Sequence, residues 1–237
     1  MNELQDKVWV CFPSVNPEKG KKAALRWREK GYRVGVYVQD SEFINSDIDW
    51  VGVGMDYQGY WWACDRIVRA VESQGAEIFI LAADDMDPDP NHTAEEIAAE
   101  YLEKFPDGFG VMQPCGDRQG MDSTGKPAAA RICGSPWFGK GWVEKAFGGE
   151  YVVPTEFFHF YGDEVLKEVA ERLGVLWMRD DLIQDHQHWA FGRQRKEKYQ
   201  EDNSRNHWQE DKNRFMTSQK DGFEDYLEKF KKPQDSY

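Results

Sequence analysis

Residues 76–90 read AEIFILAADDMDPDP, a continuous apolar run from Ile78 to Leu81 that ends in Asp84, Asp85, Asp87 and Asp89. Uninterrupted hydrophobic residues mark an interior strand of a mostly parallel sheet, buried on both faces. In open α/β sheets, ligands collect beyond the carboxyl ends of such strands, which is where this acidic cluster falls. Asp84, Asp85 and Asp87 repel one another and raise one another's pKa unless a hard divalent cation, Mg²⁺ or Mn²⁺, neutralises them. The same residues also fit a solvated acidic turn shaped by Pro88 and Pro90, with Thr93 as the N-cap of a following helix.

Toward the N-terminus the pattern is that of a βαβ unit. Val8–Phe12 is a short apolar strand and Pro13–Pro17 a loop. Residues 18–30 carry Ala23, Ala24 and Trp27 as a helical stripe closed by Gly31. Residues 33–38 form a second strand stopping at Gln39-Asp40, so β-loop-α-β builds a parallel sheet with Asp40 at a carboxyl end. Trp50–Gly54 is a third extended piece. Gly59 then precedes a helix through Trp61, Cys64, Ile67, Val68 and Val71.

Toward the C-terminus a helix through Ile97, Ala98, Tyr101 and Leu102 leads to a strand at Gly110–Gln113. Residues 114–130 are rich in glycine and proline and have no hydrophobic period, as expected of a long loop beside a site. Trp137 and Trp142 follow, either as core or as a wall that stacks on a sugar face or flat ring. Gly162-Asp163-Glu164 opens a helix ended by Gly174. Acids in a first turn suit the helix dipole, and the same field keeps a carboxylate ionised and able to accept a proton. Leu182–Ile183 is strand-like and runs into His186 and His188, which share one side of an extended chain and offer a nitrogen ligand from one of the two.

Lys and Arg number 30 against 43 Asp and Glu, a net charge of −13, so nucleic acid is not a favoured partner. The apolar runs are too short to span a bilayer, and the start lacks a signal-peptide pattern, which leads us to expect a cytoplasmic protein. Four widely spaced cysteines suit buried thiols. From Arg193 onward eleven Lys and Arg stand against ten Asp and Glu, while residues 1–192 carry −14. This mixed-charge tail places Phe223, Tyr226, Leu227 and Phe230 on one helical face, which is expected to pack on the body or on a partner chain. The expected organisation is a catalytic domain at 1–192 and a helical extension at 193–237.

The order of these parts resembles the family 2-like glycosyltransferases of the GT-A fold. The carriers are FPS after the first strand, an Asp after the second, LAADDMD, GDEVLKEVAERLG and a late histidine, together covering roughly residues 7–190. The fold this implies is α/β: a GT-A-like single domain, its mostly parallel central sheet flanked by helices, plus the C-terminal helical tail. The resemblance implies nucleotide binding by Pro13, Ser14, Asp40 at the base and Asp84 at the ribose. It implies Mn²⁺ or Mg²⁺ on Asp85 and Asp87, with His186 or His188. Gly162–Glu164 resembles the family's G-E-D motif with the acids interchanged, so Asp163 or Glu164 takes the place of the base in an inverting enzyme. Trp137 to Lys140 replaces the usual Arg-rich segment. HQHW followed by GRQRKEKY also looks like a segment of small bacteriophage glycosyltransferases. The implied activity is metal-dependent sugar transfer from a nucleotide-sugar donor, UDP-linked by expectation, to an acceptor hydroxyl. That acceptor would be a glycan, or a hydroxylated nucleobase for a phage-type member. The competing functions are nucleotidyl transfer on a related sheet and a non-catalytic carbohydrate- or nucleotide-binding module.

Overall fold

The computed structural model describes residues 4–39, 48–54, 56–116, 132–187 and 195–231. Asp40 and His188 therefore lie outside the described residues. Nine strands and seven helices are assigned among those that are described. In chain order the first half contains β1 (Val8–Ser14), α1 (Pro17–Glu29), β2 (Arg33–Val38), β3 (Trp50–Val53), α2 (Tyr60–Glu72), β4 (Ile78–Leu81), β5 (Met86–Asp87) and α3 (Ala94–Lys104). The second half contains β6 (Val111–Pro114), β7 (Trp137–Gly139), α4 (Lys140–Lys145), α5 (Gly162–Arg172), β8 (Leu176–Arg179), β9 (Asp185–His186), α6 (Lys198–Lys220) and α7 (Glu224–Lys231).

Seven strands form one sheet in the order β3-β2-β1-β4-β7-β6-β8. Every neighbouring pair is parallel except those of β7, which runs antiparallel to both β4 and β6. The continuous hydrophobicity of β1 and β4 has a direct cause. Trp9, Cys11, Phe79 and Leu81 face a core made with α2, α5 and α7. Val8, Val10, Phe12, Ile78 and Ile80 face a second core made with α1 and α3. Both faces are covered, so neither can be polar.

The helices begin where the sequence provides caps. The Asn16 side chain accepts the Lys19 amide ahead of Pro17, and Thr93 with Glu96 forms a reciprocal capping box on α3. The tail docks on the body: Phe223 is 1% exposed and Tyr226 6%, both within the core that contains Trp142 and Phe147. No helix among the described residues is long and apolar enough to cross a membrane.

Two expectations are corrected here. The extended pair after β8 is not at Leu182–Ile183 but at Asp185–His186, where β9 pairs antiparallel with β5. Trp137 and Trp142 are fully buried, at 0% exposure, and form no stacking wall. The Trp137 indole N–H donates to Gln184 Oε1 at 3.1 Å and that of Trp142 to the Val152 carbonyl at 2.9 Å. Each thus satisfies its polar atom inside the protein and leaves no face for a ligand.

Candidate functional site

β1 and β4 are adjacent and parallel, with Cys11 opposite Leu81. Three residues further along each chain this register brings Ser14 to Asp84, and the Ser14 hydroxyl donates to Asp84 Oδ2 at 2.7 Å. The β5–β9 ladder sets Met86 opposite His186, and the Gln187 amide donates to the Asp85 carbonyl at 2.8 Å. As a result His186 Nε2 lies 3.2 Å from Asp85 Oδ1.

The acidic run is divided among three different surroundings. Asp84 and Asp85 face a cleft, and Lys19 Nζ of α1 stands 3.3 Å from Asp84 and 3.9 Å from Asp85, and 2.9 Å from Glu197. Asp87 is paired with the Arg26 guanidinium. Asp89 is 1% exposed and accepts the amides of Asn91, His92 and Ile183 and contacts the His92 ring. Mutual repulsion in the sequence is thus relieved by separate partners, and does not by itself require a metal. Burial pushes the Asp84 carboxyl above its usual range, with the charge of Asp85 adding to this and Lys19 and Ser14 opposing it. Burial also penalises the Lys19 ammonium, but the carboxylates around it outweigh that and raise its pKa.

The cleft, of about 350 Å³, is walled by residues from the whole length of the chain. Pro13, Ser14, Tyr37 and Gln39 come from the ends of β1 and β2, with Asp84 and Asp85 following β4. Asp163 comes from the first turn of α5, His186 from β9, and Tyr199, Gln200 and Asn203 from α6. Of the residues expected from sequence, the structure brings together Pro13, Ser14, Asp84, Asp85, His186 and Asp163 on this cleft. Asp87, Glu164, Trp137 and Trp142 do not line it. Asp40 directly follows the lining residue Gln39 but lies, with His188, outside the described residues.

Sequence reasoning missed His159, Lys19, Tyr60 and the α6 residues. His159 had a signal, since it stands four residues before Asp163 in FFHFYGDE. Nothing in the composition of α6, a helix of weak amphipathicity, marks Tyr199, Gln200 or Asn203 as cleft residues.

The described lining residues include the carboxylates of Asp84, Asp85 and Asp163 and no Lys or Arg. Where those carboxylates are charged they repel a bare diphosphate, and a cation, or the Lys19 ammonium 3.3 Å from Asp84, would offset that repulsion. A hard cation that bridges a diphosphate takes one or two protein donors, the remainder being phosphate and water oxygens. Asp85 and His186, a carboxylate oxygen and an imidazole nitrogen 3.2 Å apart, could supply two such donors; the oxygen suits a hard cation and the nitrogen a softer one. Among the described residues there is no group of three or more His, Cys, Asp or Glu that would hold a metal unaided. No known family model matches the chain, and comparison with curated proteins gives no significant match.

Proposed function

We propose that this chain is a nucleotide-sugar-dependent glycosyltransferase built on a GT-A-like core. The mostly parallel sheet with flanking helices is compatible with that fold. The observation that carries the reading is one cleft, at the carboxyl ends of β1 and β4, shared by Ser14, Asp84, Asp85 and His186 with Asp163. Two chemistries meet there, as a transferase requires: oxygen and nitrogen donors for a cation-bound diphosphate, and a carboxylate for an incoming hydroxyl.

In this proposal the nucleoside lies over Pro13, Tyr37 and Gln39, with its ribose toward Asp84. Asp85 and His186 would hold a Mn²⁺ or Mg²⁺ ion, whose chemistry there would be to offset negative charge on the diphosphate leaving group. Asp163 takes the proton of the acceptor hydroxyl as its oxygen attacks the anomeric carbon in an inverting transfer. Tyr57 just before α2, Tyr60 and Trp61 at its start, and Tyr199 of α6 line the apolar part of the cleft and keep water from the reacting centre.

Calorimetric titration with UDP, with and without Mn²⁺, tests the proposal. Binding is expected with the ion and loss of most affinity on chelation. A panel of UDP-hexoses assayed for UDP release then identifies the donor. A carbohydrate-binding module is the second reading, favoured by the aromatic and amide residues of the cleft wall and the absence of described Lys or Arg lining it. It predicts metal-independent binding of a neutral sugar and no release of UDP. Nucleotidyl transfer would instead release pyrophosphate.

A further inference from the structure

Residues 158–160, just before α5, belong to no helix or strand, yet their backbone is fixed from two sides. On one side Asp211 of α6, 2% exposed, accepts the amides of Phe158 at 3.0 Å, His159 at 3.0 Å and Phe160 at 2.9 Å. Three successive N–H groups converging on one buried carboxylate form a charge-assisted nest. On the other side the Tyr60 amide donates to the Phe158 carbonyl at 2.6 Å, and the Trp61 indole N–H to that of His159 at 3.1 Å. Gly59 permits this approach: its φ is +120°, and a Cβ there would lie 2.4 Å from the Phe158 oxygen. The Phe158 ring stacks on His207 of α6 with centroids 3.6 Å apart. Tyr161 then takes a left-handed φ of 66° to start α5, a conformation that persists only where its surroundings impose it.

This frame delivers one side chain that the proposed chemistry has not used. His159 lines the cleft together with Asp163. Its ring makes edge contacts with Tyr60 and Phe160. Burial pushes the imidazole pKa down, against the charges of Asp163, Asp211 and Asp85, which raise it; a neutral imidazole has one nitrogen that accepts and one that donates.

Resting on the glycosyltransferase reading, we propose that His159 is a substrate-contacting residue that hydrogen-bonds the attacking hydroxyl beside Asp163. Asp211, on the C-terminal helix, is the positioning residue that holds it there. The helix is thereby a working part of the site and not an appendage to it.

The test uses the full chain with His159→Phe, Asp211→Asn and the double variant. Phe keeps the aromatic packing and removes both ring nitrogens; Asn keeps the shape of Asp211 but turns N–H groups toward the nest. Readouts are UDP affinity with Mn²⁺ by calorimetry, and kcat and KM for UDP release from UDP-hexoses with water as acceptor. His159→Phe should keep UDP affinity and KM within about twofold and lose about tenfold or more in kcat, the pattern of an interaction made in the transition state. Asp211→Asn should lose kcat in the same way, and the double variant should be no slower than His159→Phe alone, since residues acting through one another are non-additive. Wild-type kcat in His159→Phe, or losses that multiply in the double variant, would overturn the assignment. Should Asp211→Asn fail to fold, the His159→Phe result still decides. A wild-type protein that neither binds UDP with Mn²⁺ nor releases UDP overturns the glycosyltransferase reading, and this assignment with it. A wild-type protein that does both, beside an unimpaired His159→Phe, overturns this assignment alone.

Discussion

Asp85 and Asp87 are two residues apart in the chain, but one reaches His186 and the other Arg26. Their substitution by alanine should therefore separate. Asp85→Ala is expected to weaken Mn²⁺-dependent UDP binding by about 2 kcal/mol or more, the worth of a contact to a charged group. Asp87→Ala should leave that affinity unchanged and lower stability by no more than about 1 kcal/mol, because its ion pair with Arg26 is partly exposed on both sides. Equal loss of UDP affinity in the two variants would show that Asp87 leaves Arg26 to join the cation. Asp163 and Glu164 should separate as well, since only Asp163 lines the cleft. Asp163→Asn should bind donor normally and lose about 10²–10⁴-fold in kcat. Glu164→Gln should cost about 0.3–1 kcal/mol of helix-dipole stabilisation and keep its turnover. If Glu164→Gln were the inactive variant, the base would be Glu164.

Asp89 works on the scale of elements. Its two carboxylate oxygens hold the turn that enters α3 and, through the Ile183 amide at 2.8 Å, the segment leading into β9. It therefore supports the β5–β9 ladder that carries His186, although it does not line the cleft. Burial alone would raise its pKa, but these hydrogen bonds outweigh burial and hold the carboxyl below its usual range. The sign follows from that direction. The unfolded chain takes up the proton first as pH falls, so the stabilisation is present above the unfolded value of about 3.9 and is lost as pH drops through the lower, folded value. Thermal midpoints of wild type and Asp89→Asn, measured from pH 7 down to pH 3, should be furthest apart near neutrality and converge in acid. A constant gap across that range would show that the carboxylate charge does not matter to the turn.

On the scale of the whole molecule, the extension from 193 onward is joined to the body by three kinds of contact. Phe223 and Tyr226 enter the core beside Phe147 and Trp142. Asp211 caps the 158–160 backbone. Glu197 meets Lys19 at the acidic end of the cleft. Removing it should expose large aromatic faces and leave polar backbone groups without partners, each costly by itself. A chain ending at residue 194 is expected to aggregate or to lose near-UV circular dichroism. If that chain instead melts cooperatively near the wild-type temperature and binds UDP with Mn²⁺, the extension is separable and its part in the cleft is dispensable.

The parallel α/β core was legible because its determinants are local and periodic: apolar runs buried on two faces, glycine stops and capping residues at the helix ends. The ends of β1 and β4, with Ser14 and Asp84, followed from the same pattern, since strand register carries a side chain's place forward along the chain. Asp163 was marked by its helix start, and His186 only as one of a pair with His188 on the same side of an extended stretch. What the tertiary structure decided were choices among distant partners. Asp87 turned to Arg26, Trp137 and Trp142 found internal acceptors and became core, and a helix without a strong apolar face supplied part of the cleft wall. Periodicity reports which face of an element is buried. It does not report which buried or half-buried group, tens of residues away, will satisfy a given charge or N–H, because that depends on how elements dock once their apolar faces have met.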